Sequence, residues 1–318
     1  MDRKRYTLLA TAGALLLALI VVLVAVFVIG NSTPTYGICI HDMGNPVAEK
    51  YAQLLSDALT ERGYDVTVLD GKNDQTVQSE QIRSLIEDGV DGLFVSPVMT
   101  FAANEIVEQA KAEDIPVVFV MRQPPKETLD LWDKVAYVGC DIAQAGAMQG
   151  KMVLQLPDSG DINGDGVISY VVLKGPEESA DVQLRTQAAI TEMEQGERPL
   201  SALELVSGDG SRKSGRTMCA KLLATYGKDI EVVLCSTDAI ALGALEAVED
   251  GGRSVGKDIY LLGIDGDAEA LEQIKAGKLT GTVQNDLQNQ AKTAVELLVN
   301  GINTSEKELY IDYVPVTE

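Results

Sequence analysis

Residues 36–69 read YGICIHDMGNPVAEKYAQLLSDALTERGYDVTVL. YGICI (36–40) is a short apolar run that suits a buried strand. Asn45–Arg62 follows with apolar residues at Val47, Tyr51, Leu54, Leu55, Ala58 and Leu59, a helical period. VTVL (66–69) is a second strand. The unit then repeats: helix Thr76–Glu87, strand GLFVS (92–96), helix Ala102–Glu113, strand PVVFV (116–120) and strand AYVG (136–139). The strands are continuously apolar rather than alternating, as expected of a parallel sheet covered by helices on both faces.

The pattern restarts further along. SYVVLKG (169–175), ALELV (202–206), IEVVLCS (230–236), IYLLGID (259–265) and GTVQND (281–286) read as strands. Helices are expected at Asp181–Glu194, Ser214–Thr225, Ala239–Glu249, Ala268–Lys275 and Gln288–Leu298. LYIDYVPV (309–316) reads as extended, with Pro315 arguing against a central strand. The fold class is therefore α/β, with two doubly wound, Rossmann-like lobes.

Ahead of both lobes, Arg3, Lys4 and Arg5 precede an uncharged stretch from Leu8 to Ile29. At ~1.5 Å per residue that stretch spans about the ~30 Å of a bilayer core. Residues 1–30 read as a membrane anchor with Met1–Tyr6 inside the cell and the chain beyond Asn31 outside. A cleaved signal peptide is the alternative, and either reading exports the body.

Composition removes several function classes. Lys+Arg is 26 against 48 Asp+Glu, a net charge of -22, which repels nucleic acid. His41 is the only histidine, which excludes a three-histidine zinc site and leaves one imidazole for any catalytic triad. Cys39, Cys140, Cys219 and Cys235 form no C-x-x-C spacing. Cys39 and Cys235 sit within strand-like runs as small hydrophobes. A glycosidase would need only two carboxylates, and Asp181 with Asp265 could supply them, yet neither shows independent signs of catalytic tuning.

Ligands of open α/β sheets sit beyond the carboxyl ends of the strands. Those ends fall at His41–Val47, Ser96–Thr100, Met121–Pro125, Gly175–Arg185, Gly208–Arg212, Ser236–Ala239, Asp265–Asp267 and Asn285–Gln288. No G-x-G-x-x-G or G-x-x-x-x-G-K-[ST] accompanies them, which disfavours dinucleotides and nucleotide phosphates. DINGDGVIS (161–169) is a calcium-type loop: Asp161, Asn163 and Asp165 alternate as oxygen donors, Gly166 permits the turn, Val167 offers its carbonyl, and Ser169 stands ninth. The twelfth place, where glutamate is usual, is Val172. The alternative is an Asp-rich surface turn.

DINGDGVISYVVLKG, IEVVLCSTDAIALGALEAV, YLLGIDGDAEALEQIKAG and LTGTVQNDLQNQAK together resemble the type I periplasmic sugar-binding protein family, in its galactose/glucose-binding branch. The likeness covers 36–316. It implies two lobes, the N-terminal over 31–139 plus about 288–311 and the C-terminal over 140–287 plus about 312–318, joined by a three-strand hinge and closing on a sugar. It also implies Glu231 as the last ligand of a structural Ca2+ site with Asp161, Asn163, Asp165, Val167 and Ser169. For the sugar it implies Asp181, Arg185, Asp265 and Asn285, with Asn45, Ser96, Ser179 and Thr237 at places where the branch carries other polar residues. Arg122 matches an arginine of the related ribose-binding branch, and is either a ligand contact or a charged surface residue.

Two stacking rings of the galactose/glucose branch fall on Val47 and near Gly210. Their loss makes an aldohexose doubtful. His41 could supply an aromatic face or cap the first turn; Phe101 and Trp132 lie further from matched strand ends. The resemblance thus implies a monomeric extracytoplasmic solute-binding protein, not an enzyme, that captures a small polyhydroxylated ligand. An ATP-binding-cassette import permease is the implied partner. Presentation to a chemoreceptor or histidine kinase is the alternative.

Overall fold

The computed structural model describes residues 33–303 and 305–317, so the segment read as an anchor, residues 1–30, lies outside the described residues. No described helix is long and apolar enough to cross a membrane. Backbone contacts divide the chain into two units. One runs to Ala136 and regains Ala294–Ser305; the other holds Tyr137–Thr293 and the chain from Glu306 onward.

The elements alternate as the periodicity predicts. The first series is β1 (Thr35–Ile40), α1 (Pro46–Thr60), β2 (Asp65–Asp70), α2 (Gln75–Glu87), β3 (Gly92–Val95), α3 (Ala103–Ala112), β4 (Val117–Val120), a single turn α4 (Lys126–Leu129) and β5 (Val135–Gly139). The second is α5 (Ile142–Leu154), β6 (Ile168–Lys174), α6 (Ala180–Met193), β7 (Leu200–Ser207), α7 (Arg212–Tyr226), β8 (Val232–Cys235), α8 (Asp238–Asp250), β9 (Tyr260–Asp265), α9 (Ala268–Lys275) and β10 (Gly281–Gln284). Helix α10 (Leu287–Val299) and strands β11 (Glu308–Tyr310) and β12 (Val314–Val316) follow.

The strands form two sheets of the same winding, β2-β1-β3-β4-β5-β11 and β7-β6-β8-β9-β10-β12. Strand β1 runs parallel between β2 and β3, with Ile38 opposite both Val68 and Phe94. The second sheet is parallel except for β12, which is antiparallel to β10. In the extended close of the chain, β11 belongs to the first sheet and β12 to the second. Pro315 lies opposite Val283 on the outermost strand, where a missing N–H costs no central ladder bond.

Burial on both faces explains the continuous apolar strands. Along β6, Val171 and Leu173 enter a core with Val233, Cys235 and residues of α7 and α8. Tyr170 and Val172 enter the opposite core with Val232, Leu234 and residues of α5 and α6. Alternate side chains thus feed two helix layers. All four cysteines are free thiols, with Cys39, Cys219 and Cys235 buried.

Helix starts are set by side-chain oxygens. Asn45 caps α1 by accepting from the N–H groups of Val47 and Ala48, with a proline in the first turn. Asp74 caps α2 in the same manner. Helices α5 and α6 approach closely because α5 carries glycine at the contact. A Cβ on Gly146 would lie 1.9 Å from the Arg185 carbonyl oxygen, and one on Gly150 2.4 Å from that of Ala189. This contact sets the height of Arg185 over the sheet.

Candidate functional site

The winding of each sheet reverses between two neighbouring strands, β1 and β3 in the first and β6 and β8 in the second. Ligand sites of doubly wound sheets form at that switch point, beyond the carboxyl ends. In the first unit, His41 follows β1 and Ser96 follows β3. Nδ1 of His41 and Oγ of Ser96 are 2.7 Å apart, and both residues are buried. Gln78 of α2 fixes this corner: its amide donates to the Ser96 carbonyl at 2.9 Å and its oxygen accepts from the Val98 N–H at 2.7 Å.

Arg122 follows β4, where Met121 adopts a positive φ of 59°. Its guanidinium donates to the Val98 carbonyl at 2.9 Å, on the loop that Ser96 begins. Burial, reinforced by the Arg122 charge, lowers the His41 imidazole to about 4. At neutral pH this corner therefore offers a neutral imidazole and a hydroxyl beside a fixed cation.

The second unit arranges its polar groups around the strand-end turn of β9. Nη1 of Arg185, on α6, donates to the Ser236 carbonyl at 2.8 Å and lies 3.8 Å from the Asp265 carboxylate. The Ser236 hydroxyl accepts from the Gly175 N–H at 2.9 Å, tying β8 to β6 at the switch point. Asp265 sits at φ 125°, a region L-residues rarely adopt. A buried carboxylate holds this turn: Asp238 accepts from the N–H groups of Gly266 and Asp267 at 2.8 Å each and from the Thr282 hydroxyl at 2.7 Å. Desolvation raises the Asp265 carboxyl to about 7 against the opposing pull of Arg185, and raises Asp238 to about 6.

The sequence candidates thus fall into two groups. His41, Ser96 and Arg122 meet in the first unit; Arg185 and Asp265 meet in the second. The Asn285 N–H donates to the Asp265 carbonyl at 3.0 Å, while its side-chain oxygen accepts from Gln290. Asp181 is exposed in the first turn of α6. Asn45, Ser179 and Thr237 prove to be helix caps, their side-chain oxygens accepting main-chain N–H groups of α1, α6 and α8. Val47 is 38% exposed and Phe101 71% exposed.

Sequence reasoning missed Gln78, Asp238 and Gln149. The Gln149 amide donates to the carbonyls of Cys235, Leu262 and Gly263 beneath the second strand-end surface. All three are buried polar residues on helices. Gln78 and Gln149 interrupt otherwise apolar faces, a signal that marks a buried polar bridge.

In the calcium-type loop the Glu231 carboxylate meets the loop's main chain. Glu231 is buried; Oε1 accepts from the Asn163 N–H at 2.9 Å and Oε2 from the Ser169 N–H at 2.8 Å. Asp161, also buried, accepts from the N–H groups of Gly164 at 2.8 Å and Gly166 at 3.0 Å. The Arg198 guanidinium also bonds the Asp161 carboxylate. Among the described residues no three His, Cys, Asp or Glu side chains gather as a metal-holding group. The set implied for this loop includes three carboxylates, of Asp161, Asp165 and Glu231, which the fold does not bring together as such a group, with an amide, a hydroxyl and a main-chain carbonyl beside them. Such all-oxygen donors fit a hard divalent cation.

A cavity of about 730 Å³ opens at the other end of the second sheet, lined by Ile162, Asn163, Leu223, Lys228, Arg253 and Asp258 among others. It shares no residue with the strand-end surface and holds none of the groups discussed for sugar binding.

Residues 36–306 match the periplasmic binding protein domain. The chain is 33% identical over 242 residues to the D-galactose/methyl-galactoside binding periplasmic protein MglB of Haemophilus influenzae, covering 75% of this chain and 72% of that protein. It is 29% identical to the ribose import binding protein RbsB of Bacillus subtilis, covering 82% and 79%. Among solved structures, an ABC transporter solute binding protein from Bacillus halodurans with bound myo-inositol superposes with a TM-score of 0.69 at 26% identity, covering 90% and 95%. Repeated winding, switch-point polar residues and these similarities agree, and the chain belongs to the periplasmic binding protein family, with its type I fold.

Proposed function

We propose that this protein is the extracytoplasmic binding component of an ATP-binding-cassette importer. It captures a small sugar or related polyhydroxylated solute and presents it to a membrane permease. The observation that carries the reading is the Arg185–Asp265 pair at the end of β9. A planar guanidinium and a carboxylate, each held by main-chain bonds, engage neighbouring hydroxyls with donors and acceptors in fixed positions. Two relatives are named for galactose and ribose binding and the solved structure carries bound myo-inositol, which agrees with a polyhydroxylated ligand. Their names speak for import more than for presentation to a chemoreceptor or histidine kinase.

Ligand selection follows from what lines each half. The first unit offers the neutral His41 and Ser96 with Arg122, and has Val47 at a place where the galactose/glucose branch carries a stacking ring. Hydrogen bonding therefore outweighs ring stacking, which favours polyols, pentoses and furanoses over a pyranose presented by its C–H face. The role is binding rather than catalysis: the single imidazole is buried against Ser96 and already neutral. An export signal or anchor at residues 1–30 keeps the body outside the cytoplasm.

Calcium, in this reading, is structural. Asp161, Asn163, Asp165, the Val167 carbonyl, Ser169 and Glu231 would hold it and tie the loop before β6 to the start of β8. The ion would supply fixed positive charge against two buried carboxylates.

A thermal-shift screen of the exported body against hexoses, pentoses, polyols and furanosides tests the function. A true ligand at a hundred times its Kd stabilises by about 2.7 kcal/mol. Arg185→Ala and Asp265→Ala should each weaken that ligand in calorimetry by about tenfold to a hundredfold. Unchanged affinity in both variants overturns the assignment of the second half-site.

A further inference from the structure

The calcium-type loop already has a positive partner in this chain. Arg198 lies between α6 and β7, outside the loop. Its guanidinium bonds Asp161, whose side chain has no exposure, and Nη2 lies 3.7 Å from Asp158. The backbone is arranged for this. Asp158 and Ser159 are consecutive residues at positive φ, 52° and 57°, in the short turn that follows α5. Such conformations persist only where surrounding contacts hold them. Here they set one carboxylate beside Arg198 while the loop sets another.

Charge accounting points the same way. Asp161 and Glu231 are both buried, and a buried carboxylate needs a cation or a full set of donors. Glu231 has two loop N–H donors, and Arg253, bonded to the adjacent Ile230 carbonyl, adds positive charge nearby. Asp161 has two loop N–H donors and Arg198. A divalent ion at the first loop position would use the carboxylate that Arg198 now holds.

We propose that Arg198 is the loop's built-in cation. Its guanidinium balances Asp161 without metal, so the loop stays closed when calcium is absent, and an entering ion displaces Arg198 from that carboxylate. The displacement half rests on the calcium reading above; the charge-balance half does not. Arg198 thus sets the calcium affinity low and makes the second lobe's stability weakly dependent on the metal. Its partial exposure, 32% of the side chain, gives it room to swing away.

The test compares the intact wild-type protein with Arg198→Gln and Arg198→Lys, by thermal unfolding in excess chelator and by calorimetric titration with calcium chloride. In chelator, wild type should melt several degrees above Arg198→Gln, with Arg198→Lys between them because it keeps the charge but not the planar fork. Calcium should bind Arg198→Gln about tenfold or more tightly than wild type and restore most of its lost melting temperature. Equal melting of wild type and Arg198→Gln in chelator overturns the charge-balance claim. Calcium binding of equal strength in both overturns displacement.

If neither protein binds calcium, the calcium reading fails and displacement with it, while the chelator comparison still decides the role of Arg198. Should Arg198→Gln fail to fold, hydrogen exchange of wild type in chelator decides instead. Protected amides at Gly164, Gly166 and Ser169 support the claim, and rapid exchange there refutes it.

Discussion

Gly146→Ala sets helix propensity against packing, with opposite signs. Glycine inside a helix costs about 1 kcal/mol relative to alanine, so propensity alone predicts that the substitution stabilises. The structure predicts the reverse. The new Cβ would sit 1.9 Å from the Arg185 carbonyl oxygen, where real contacts do not come below 3.0 Å, so α5 and α6 must separate by roughly the difference. Overpacking of this kind costs about 1–3 kcal/mol, and here the obstacle is main chain that cannot rotate away. Offset by the gain of about 1 kcal/mol in propensity, this leaves a net loss of about 1 kcal/mol, a drop of roughly 2–4 °C in Tm for a unit of this size.

Helix α6 carries Arg185, so its displacement should also weaken ligand binding even though Gly146 lies outside the proposed contact set. Circular dichroism melting beside calorimetry reads both effects. Gln187→Ala, on the exposed face of α6, is the control and should change stability by less than about 0.5 kcal/mol. A Gly146→Ala protein that melts at or above the wild-type temperature would refute the close-approach reasoning.

Two further predictions concern titration. His41 is the chain's sole histidine, so its Hε1 proton NMR signal is unambiguous; with the imidazole lowered to about 4, the signal should stay constant from pH 5.5 to 8 in the folded protein. In urea it should titrate near ~6.5. A folded chain that resists this protonation loses stability as pH falls from about 6.5 towards 4, and a folded-state midpoint above 6 would contradict the burial described. Asp238 and Asp265 have the opposite effect: raised to about 6 and about 7, they hold protons that the unfolded chain releases near ~4, so their contribution falls as pH rises through that window. Asp238→Asn should flatten the pH dependence of the urea midpoint between about pH 4 and 6, and an unchanged slope would count against it.

Much of this architecture is legible in the residues. Apolar runs such as GLFVS and PVVFV announce buried parallel strands because both faces are covered, and the strand-end rule leads directly to His41, Ser96, Arg122 and Asp265. The resemblance implied Glu231 near the loop, and the fold places its carboxylate on the loop's own N–H groups. What escaped depends on partners far along the chain. Arg198 and Asp161 are 37 residues apart, and nothing local in QGERPL marks an arginine that reaches a calcium-type loop. Asp238 reads as an ordinary first-turn acid of α8; its bond to Thr282 spans 44 residues. Asn45, Ser179 and Thr237 illustrate the converse, since a polar residue after a strand is also where the next helix finds its cap.

The placement of β11 and β12 bears on how the chain acquires its structure. Each completes the outer margin of a different sheet, and both follow every other element in sequence order. As the chain grows from its amino end, β5 and β10 remain open margins able to pair with another molecule. Any fragment ending before Glu308 leaves both sheets unfinished, so truncation cannot isolate one lobe intact. The short strands that blunt these two margins, one of them carrying Pro315, therefore arrive late and for both halves together, and a binding chaperone would act to greatest effect before they emerge.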